Sequence, residues 1–282
     1  MYTRSYNGTN KKVFWQEMWR HELYEALKHD PVVIIPVGSI EQHGPHSPTD
    51  IDISIPYYLA AEAATRTDDY PIIVAPPVWT GFTHFNMGHI GTITVALETY
   101  IAVLCDVCRS IKANGFERMI MLNGHGGNVA PTQTTSVKLA QEDIWSLHIT
   151  YFHMVEDELK EWGDSDDTIG HGGEWETSLQ LYLRGHMVDL DKRTPNGLAP
   201  WFRDPVVGKF AKWPERRREA DEGVMGDPFV ASAEKGERIF NLAVERLTLA
   251  CNELHNNPVR GYFDRGSDAT LGPLSPDATP PR

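Results

Sequence analysis

The chain has 282 residues, is 41% hydrophobic and carries a net charge of -13 from 39 acidic and 26 basic side chains. That is apolar material for one large core, and the acidic balance disfavours a nucleic-acid backbone or an anionic membrane as partner. No secretory signal is visible, no apolar run approaches the ~20 residues of a membrane span, and the three cysteines make no disulfide framework, so cytoplasmic residence is the expectation.

In chain order, spaced apolar residues predict an amphipathic helix over 14–28, with Trp15, Met18, Trp19, Leu23 and Leu27 facing inward. The β-branched run 32–37 predicts a buried strand. Gly38, Gly44, Pro45 and Pro48 then force an irregular loop, and a helix is expected over 53–66. A short strand at 71–75 ends at Pro76 and Pro77. The segment 79–91, rich in Gly, His and aromatic residues, reads as a functional loop.

A helix near 98–112 leads to a strand at 118–122 and a glycine-rich loop at 123–128. On that helix Leu97, Ile101, Leu104, Cys108 and Ile111 form one apolar stripe. Cys105 and Cys108 therefore read as packing residues, since no second pair completes a zinc site. A helix over 131–142 and a strand over 148–152 follow. The acidic stretch 156–167 reads as mobile, 195–228 as surface chain and 229–254 as a long helix. Strands alternating with helices predict an α/β fold, a mostly parallel sheet with helices on both faces. Residues 1–263 are read as one domain, and 264–282, rich in Pro, Gly, Ser and Asp, as a disordered or docking tail.

Three clusters carry chemistry. Glu41 and His43, with Asp50 and Asp52 close behind, follow the first strand. His125 sits in the glycine-rich loop after the strand at 118–122. His171-Gly172-Gly173-Glu174-Trp175-Glu176-Thr177-Ser178 opens a helix. In open parallel sheets, loops at the carboxyl ends of strands hold the ligands. Mixed oxygen and nitrogen donors suit Zn, Mn or Fe. Glu41, His43, Asp52, His125 and Glu176 could fill one ion, or two with one carboxylate shared.

Two ions of this kind support hydrolysis. A bridging water loses a proton near neutral pH, and the ions polarise a carbonyl. Asp50 and Asp52 could equally serve as turn and cap residues of the following helix. The residues also leave open a single-metal lyase or isomerase, and a small-molecule-binding protein with a structural metal. Motifs for a serine hydrolase elbow, a zincin helix, a phosphate loop and a dinucleotide site are missing from the sequence.

These clusters resemble the creatininase (creatinine amidohydrolase) family. The matching pieces run from Gly38 to His46 with Asp52, from Asn123 to Asn128, and from His171 to Ser178; Gly91-Thr92-Ile93 and Gly226-Asp227-Pro228 also look familial. The resemblance implies a three-layer α/β/α sandwich and two divalent ions per subunit (Zn, Mn or Fe). It implies one ion on Glu41, Asp52 and His125, the other on His43, Asp52 and Glu176, and proton transfer by His171. It further implies an amidohydrolase acting on a C–N bond of a small cyclic amide or formamide, with metal-bound hydroxide as nucleophile, in a homo-oligomer that is a hexamer in many members.

The chain departs from creatininases proper at Gly126 and Gly127, where they carry Tyr and Glu, and at Asp167, where they carry a substrate-covering Trp. Trp79, Phe82, Thr83, His84, Gly126 and Trp175 are the candidates for substrate contact.

Overall fold

The computed structural model describes residues 11–165, 170–194 and 222–257. Four parallel strands form one sheet: β1 (Val32–Val37), β2 (Ile72–Val74), β3 (Arg118–Asn123) and β4 (Ser146–Thr150), in the order β2-β1-β3-β4. Seven α-helices accompany them among the described residues: α1 (Arg20–Leu27), α2 (Ile51–Arg66), α3 (Leu97–Ala113), α4 (Val129–Ala140), α5 (Glu156–Trp162), α6 (Glu174–Arg184) and α7 (Ala233–Asn256).

Alternate residues of a strand point to opposite faces, and here both faces are covered. Val32, Ile34, Ile120 and Leu122 pack with apolar residues of α2, α6 and α7. Val33, Ile35, Met119 and Met121 pack with Tyr100, Leu104 and Cys108 of α3 and with Leu139 of α4. The result is the expected α/β/α sandwich. Burial on both faces explains why β1 reads as an unbroken apolar run rather than an alternating one.

Cys105 and Cys108 are buried, and burial pushes the Cys108 thiol up to about 12, in keeping with packing. No helix among the described residues is long and apolar enough to cross a membrane.

Several expectations need correction. The helix predicted over 14–28 is a 3-10 turn (Trp15–Glu17) followed by α1. Trp19 adopts extended backbone between them, so its ring turns outward and is 65% exposed, with the Lys12 ammonium 4.1 Å above it. β4 spans Ser146–Thr150 rather than 148–152, and the chain turns into a 3-10 segment at Tyr151. The acidic stretch read as mobile contains α5, which buries Leu159 and pairs Glu158 with Arg246 of α7. The long C-terminal helix begins at Ala233, after a 3-10 turn at Pro228–Val230. Asp167, the tail 264–282 and most of 195–228 lie outside the described residues.

Candidate metal centre

β1 and β3 are adjacent and in register, Val37 opposite Asn123, so their carboxyl ends are flush. The Gly124 N–H donates to the Val37 carbonyl at 2.9 Å and ties the two loops together. The first turn of α2 is wedged against both: a Cβ on Gly38 would lie 2.3 Å from the Asp52 carbonyl oxygen, and one on Gly124 only 2.0 Å. Glycine is required at these two positions for the backbones to approach, and the approach brings Asp52 beside His125, which also touches Glu41. Pro56, inside α2, lacks the N–H that would bond the Asp52 carbonyl.

Asp50 stands at the N-cap position but caps nothing with its side chain. It accepts instead two bonds from the buried Arg184 of α6, at 2.8 and 2.7 Å, and Arg184 also donates to Ser54. The start of α2 is thereby clamped to the end of α6, the helix that carries Glu176 in its first turn.

Six side chains from the three clusters converge: Glu41, His43, Asp52, His125, His171 and Glu176. His125 Nδ1 lies 2.8 Å from Glu41 Oε2 and 2.9 Å from Asp52 Oδ2. His43 Nε2 lies 3.2 Å from Asp52 Oδ1 and 3.5 Å from Glu176 Oε2. The two oxygens of Asp52 therefore face two separate pairs, His125 with Glu41 and His43 with Glu176. Ligand atoms of Glu41, Asp52 and His125 fall within 4.8 Å of one another, as do those of His43, His171 and Glu176. His171 stacks on His43 at 4.1 Å between centroids, and its Nδ1 is 3.4 Å from Glu41 Oε1.

The outer nitrogens settle the tautomers. A backbone carbonyl only accepts, so each imidazole nitrogen beside one carries the proton. His43 Nδ1 donates to Glu41 O at 2.9 Å, His125 Nε2 to Phe82 O at 3.2 Å, and His171 Nε2 to Gln42 O at 2.5 Å. Every inner nitrogen then presents a lone pair toward carboxylate oxygens. Lone pairs facing lone pairs repel unless a cation or a proton stands between them. Both oxygens of Glu41, Oδ2 of Asp52 and Nε2 of His43 are buried without a hydrogen-bond partner. This donor set, with its outer nitrogens fixed on carbonyls, is the pattern that holds divalent metals.

The electrostatics agree. Burial alone would keep the rings neutral. For His125 the carboxylates of Glu41 and Asp52 outweigh it and raise the pKa to about 10. For His43 the carboxylates of Glu176 and Asp52 do the same, well above the usual value. Burial raises Glu41, whereas the two imidazoles hold Asp52 well below the usual carboxylate range despite its burial. His46, held by Thr177 at 2.9 Å, is pushed down to about 4, first by burial and then by His43. It is a neutral bystander at physiological pH.

Glu174 and Glu176, two residues apart on α6, separate by role. Glu174 is buried and turns away, accepting the Asp164 and Ser165 N–H groups and the Lys235 ammonium. Glu176 turns inward, its Oε2 accepting the Gly172 N–H at 2.6 Å.

Glu41, Asp52, His125, His171 and Glu176 line a cleft of about 800 Å³. Of the substrate-contact candidates, Phe82, Gly126 and Trp175 line it. Trp79, Thr83 and His84 do not: Thr83 is fully buried, and Trp79 is 51% exposed. The loop that carries them does reach the cleft, but through Phe82 and Phe85, while the Thr83 N–H donates to Thr94 Oγ1, which in turn donates to Gly81 O.

Tyr151 and Phe85 are cleft residues that sequence reasoning missed. Tyr151 immediately follows β4 on the same sheet edge as Glu41 and His125, which is the signal that marks it. Burial, then the nearby Glu176 and Asp52 charges, raise its phenol well above the usual value, so it stays a proton donor.

Comparison with known proteins places the chain in a family. Residues 16–251 match the family model described as creatinine amidohydrolase. The 3-dehydro-scyllo-inosose hydrolase of Thermotoga maritima is 30% identical over 245 residues, covering 80% of this chain and 78% of that protein. The mycofactocin precursor peptide peptidase of Mycolicibacterium smegmatis is 31% identical over 222 residues, covering 74% and 80%. A solved putative creatinine amidohydrolase from Bacteroides fragilis superposes with a TM-score of 0.77 at 28% identity, covering 89% of this chain and all of that one. Further solved creatininases, 26% identical with TM-scores of 0.74 and 0.72, are described as a Mn form and a Zn-Zn type. With the model match running through nearly all of its described length, the chain belongs to the creatininase family.

Proposed function

We propose that this creatininase-family hydrolase of amide bonds uses two divalent ions, Zn, Mn or Fe, to cleave a C–N bond in a small cyclic amide or a formamide. Glu41, Asp52 and His125 would hold one ion and His43, Asp52 and Glu176 the other, with Asp52 shared. The observation that carries this is the orientation of His43 and His125, whose outer N–H groups are spent on backbone carbonyls while their inner nitrogens face orphaned carboxylate oxygens. Bound, such a pair supplies a water acidified to neutral pH and Lewis-acid polarisation of the carbonyl.

The chain's own groups do the rest. His171 is tied through Nε2–H to Gln42 O, and its Nδ1 faces the cluster 3.4 Å from Glu41 Oε1, where it can carry a proton and deliver it to the leaving nitrogen. Trp175 lines the cleft wall, though its indole N–H lies buried behind that surface. The Tyr151 phenol, also in the lining, is a candidate donor to the substrate. The deep burial of Glu41, His43 and Asp52 excludes bulk water and strengthens every charge interaction among them.

The protein acts in the cytoplasm as a homo-oligomer, of hexameric type, with neither nucleic acid nor membrane as partner. Exposed Trp79, Met87, Ile90 and Ile93, all on the segment between β2 and α3, support a covered surface there. The test is metal analysis of the pure protein, then chelation and reconstitution with Zn, Mn or Fe against an amide panel of creatinine, hydantoins, lactams, formamides and short peptides. Two ions per chain and metal-dependent turnover support the proposal. No ion bound, or turnover indifferent to chelation, sinks it.

A further inference from the structure

Glycines 124, 126 and 127 crowd one loop, and they are there for different reasons. A Cβ on Gly124 would strike Asp52, and one on Gly127 would lie 2.3 Å from Phe82 O and 2.5 Å from His125 Nε2. Gly126 meets no such constraint: a Cβ there has nothing within 4 Å, and its backbone does not enter the left-handed region. Neither packing nor backbone geometry explains a glycine at 126. The residue lines the cleft beside His125 and is exposed to it. What glycine provides there is empty volume.

The surroundings say what that volume suits. The wall next to the cluster is Phe85, whose ring stacks on His125 at 5.8 Å. Val129, Pro131, Phe152, Leu179 and Trp175 continue it. No Lys or Arg lines the cleft among the described residues. Apart from His153, every carboxylate and imidazole in the lining belongs to the cluster itself. Among the described residues, a phosphate or carboxylate carried away from the scissile bond would meet no permanent cation there, only the titratable His153, and most of its desolvation would go uncompensated. At about 30 Å³ per water, 800 Å³ holds roughly 25 waters, so a substrate of a few heavy atoms would leave apolar wall exposed.

We infer that the substrate is a neutral amide whose non-reacting body is apolar, aliphatic or aromatic, and that Gly126 is the specificity residue that admits this body. The inference rests on the two-metal reading, which supplies the anchor for the reacting end.

The test uses the Zn-loaded full-length protein and three hydroxamates, which chelate through one common group. Calorimetry measures the affinities of acetohydroxamate, phenylacetohydroxamate and the monohydroxamate of succinic acid. Phenylacetohydroxamate binds at least fivefold tighter than acetohydroxamate, and the anionic probe gains nothing over it. Gly126→Ala lowers the phenylacetyl-to-acetyl affinity ratio and Gly126→Val at least halves it. Near-ultraviolet circular dichroism checks that both variants fold.

A wild-type ratio below fivefold, tighter binding of the anionic probe, or a ratio that Gly126→Val leaves unchanged overturns the inference while the metal reading stands. If the protein retains no Zn and no hydroxamate binds, the metal reading has failed, and the inference falls with it by a separate signature.

Discussion

Removing the metals should reverse the sign of the protein's pH dependence. In the metal-free protein, protons on His125 and His43 take the place of cations among Glu41, Asp52 and Glu176. The folded His125 has a pKa of about 10, raised by two carboxylates over the opposing effect of burial. The ordinary value is ~6.5. A raised folded pKa contributes stability that is complete below about 6.5 and is lost as pH climbs toward 10. Each pH unit in that window is worth up to about 1.4 kcal/mol, so His125 alone contributes at most about 5 kcal/mol. His43 acts in the same direction. Asp52, shifted the other way, titrates far below the window and does not oppose them.

Divalent ions, if bound as proposed, would replace those protons, and metal affinity would rise as protons leave. Urea unfolding followed by tryptophan fluorescence at pH 6.5, 8 and 9.5, with and without chelator, separates the two states. The metal-free protein weakens by several kcal/mol across the series, while the stabilisation gained from added Zn or Mn grows. A metal-free protein whose stability is flat or rises with pH would refute the reasoning, because the carboxylates would then not be holding protons on the rings.

Three further outcomes follow from the same contacts. His171→Ala keeps both ions by elemental analysis but loses about 10²–10⁴-fold in kcat; loss of an ion instead would make His171 a ligand. Gly127→Ala pushes Phe82 away from His125 Nε2, so metal affinity measured by competition with a chelator falls roughly 10–100-fold. Arg184→Met leaves Asp50 without its bidentate partner and costs about 2–4 kcal/mol by denaturant titration, less than a fully buried pair because Asp50 is partly exposed.

What the sequence made legible, and what it hid, has a physical pattern. β1 was readable to the residue because burial on both faces leaves only apolar, mostly β-branched side chains. The convergence of Glu41, His43 and His125 was readable because each follows a parallel strand, and parallel strands end on one edge. α5 was hidden because Leu159 is its only buried residue and its partner Arg246 lies 88 positions away. Trp19 misled because a helical stripe assumes continuous helix, and the chain breaks at that residue. Reading β4 two residues late placed Tyr151 inside a strand and concealed it as an edge residue. The loop of Trp79, Thr83 and His84 was rightly read as lying at the site, but it lines the cleft with Phe82 and Phe85 instead, because which side chains of an irregular loop face a cleft is set by backbone bonds that composition does not record.

The central claim is that Asp52 is shared by two cations. Anomalous diffraction from crystals of the Mn-loaded protein tests it most directly. The account predicts two peaks ~3.5–4 Å apart, one against Glu41 and His125, the other against His43 and Glu176, with Asp52 between. A single peak, or a pair of which Asp52 touches only one, would contradict it.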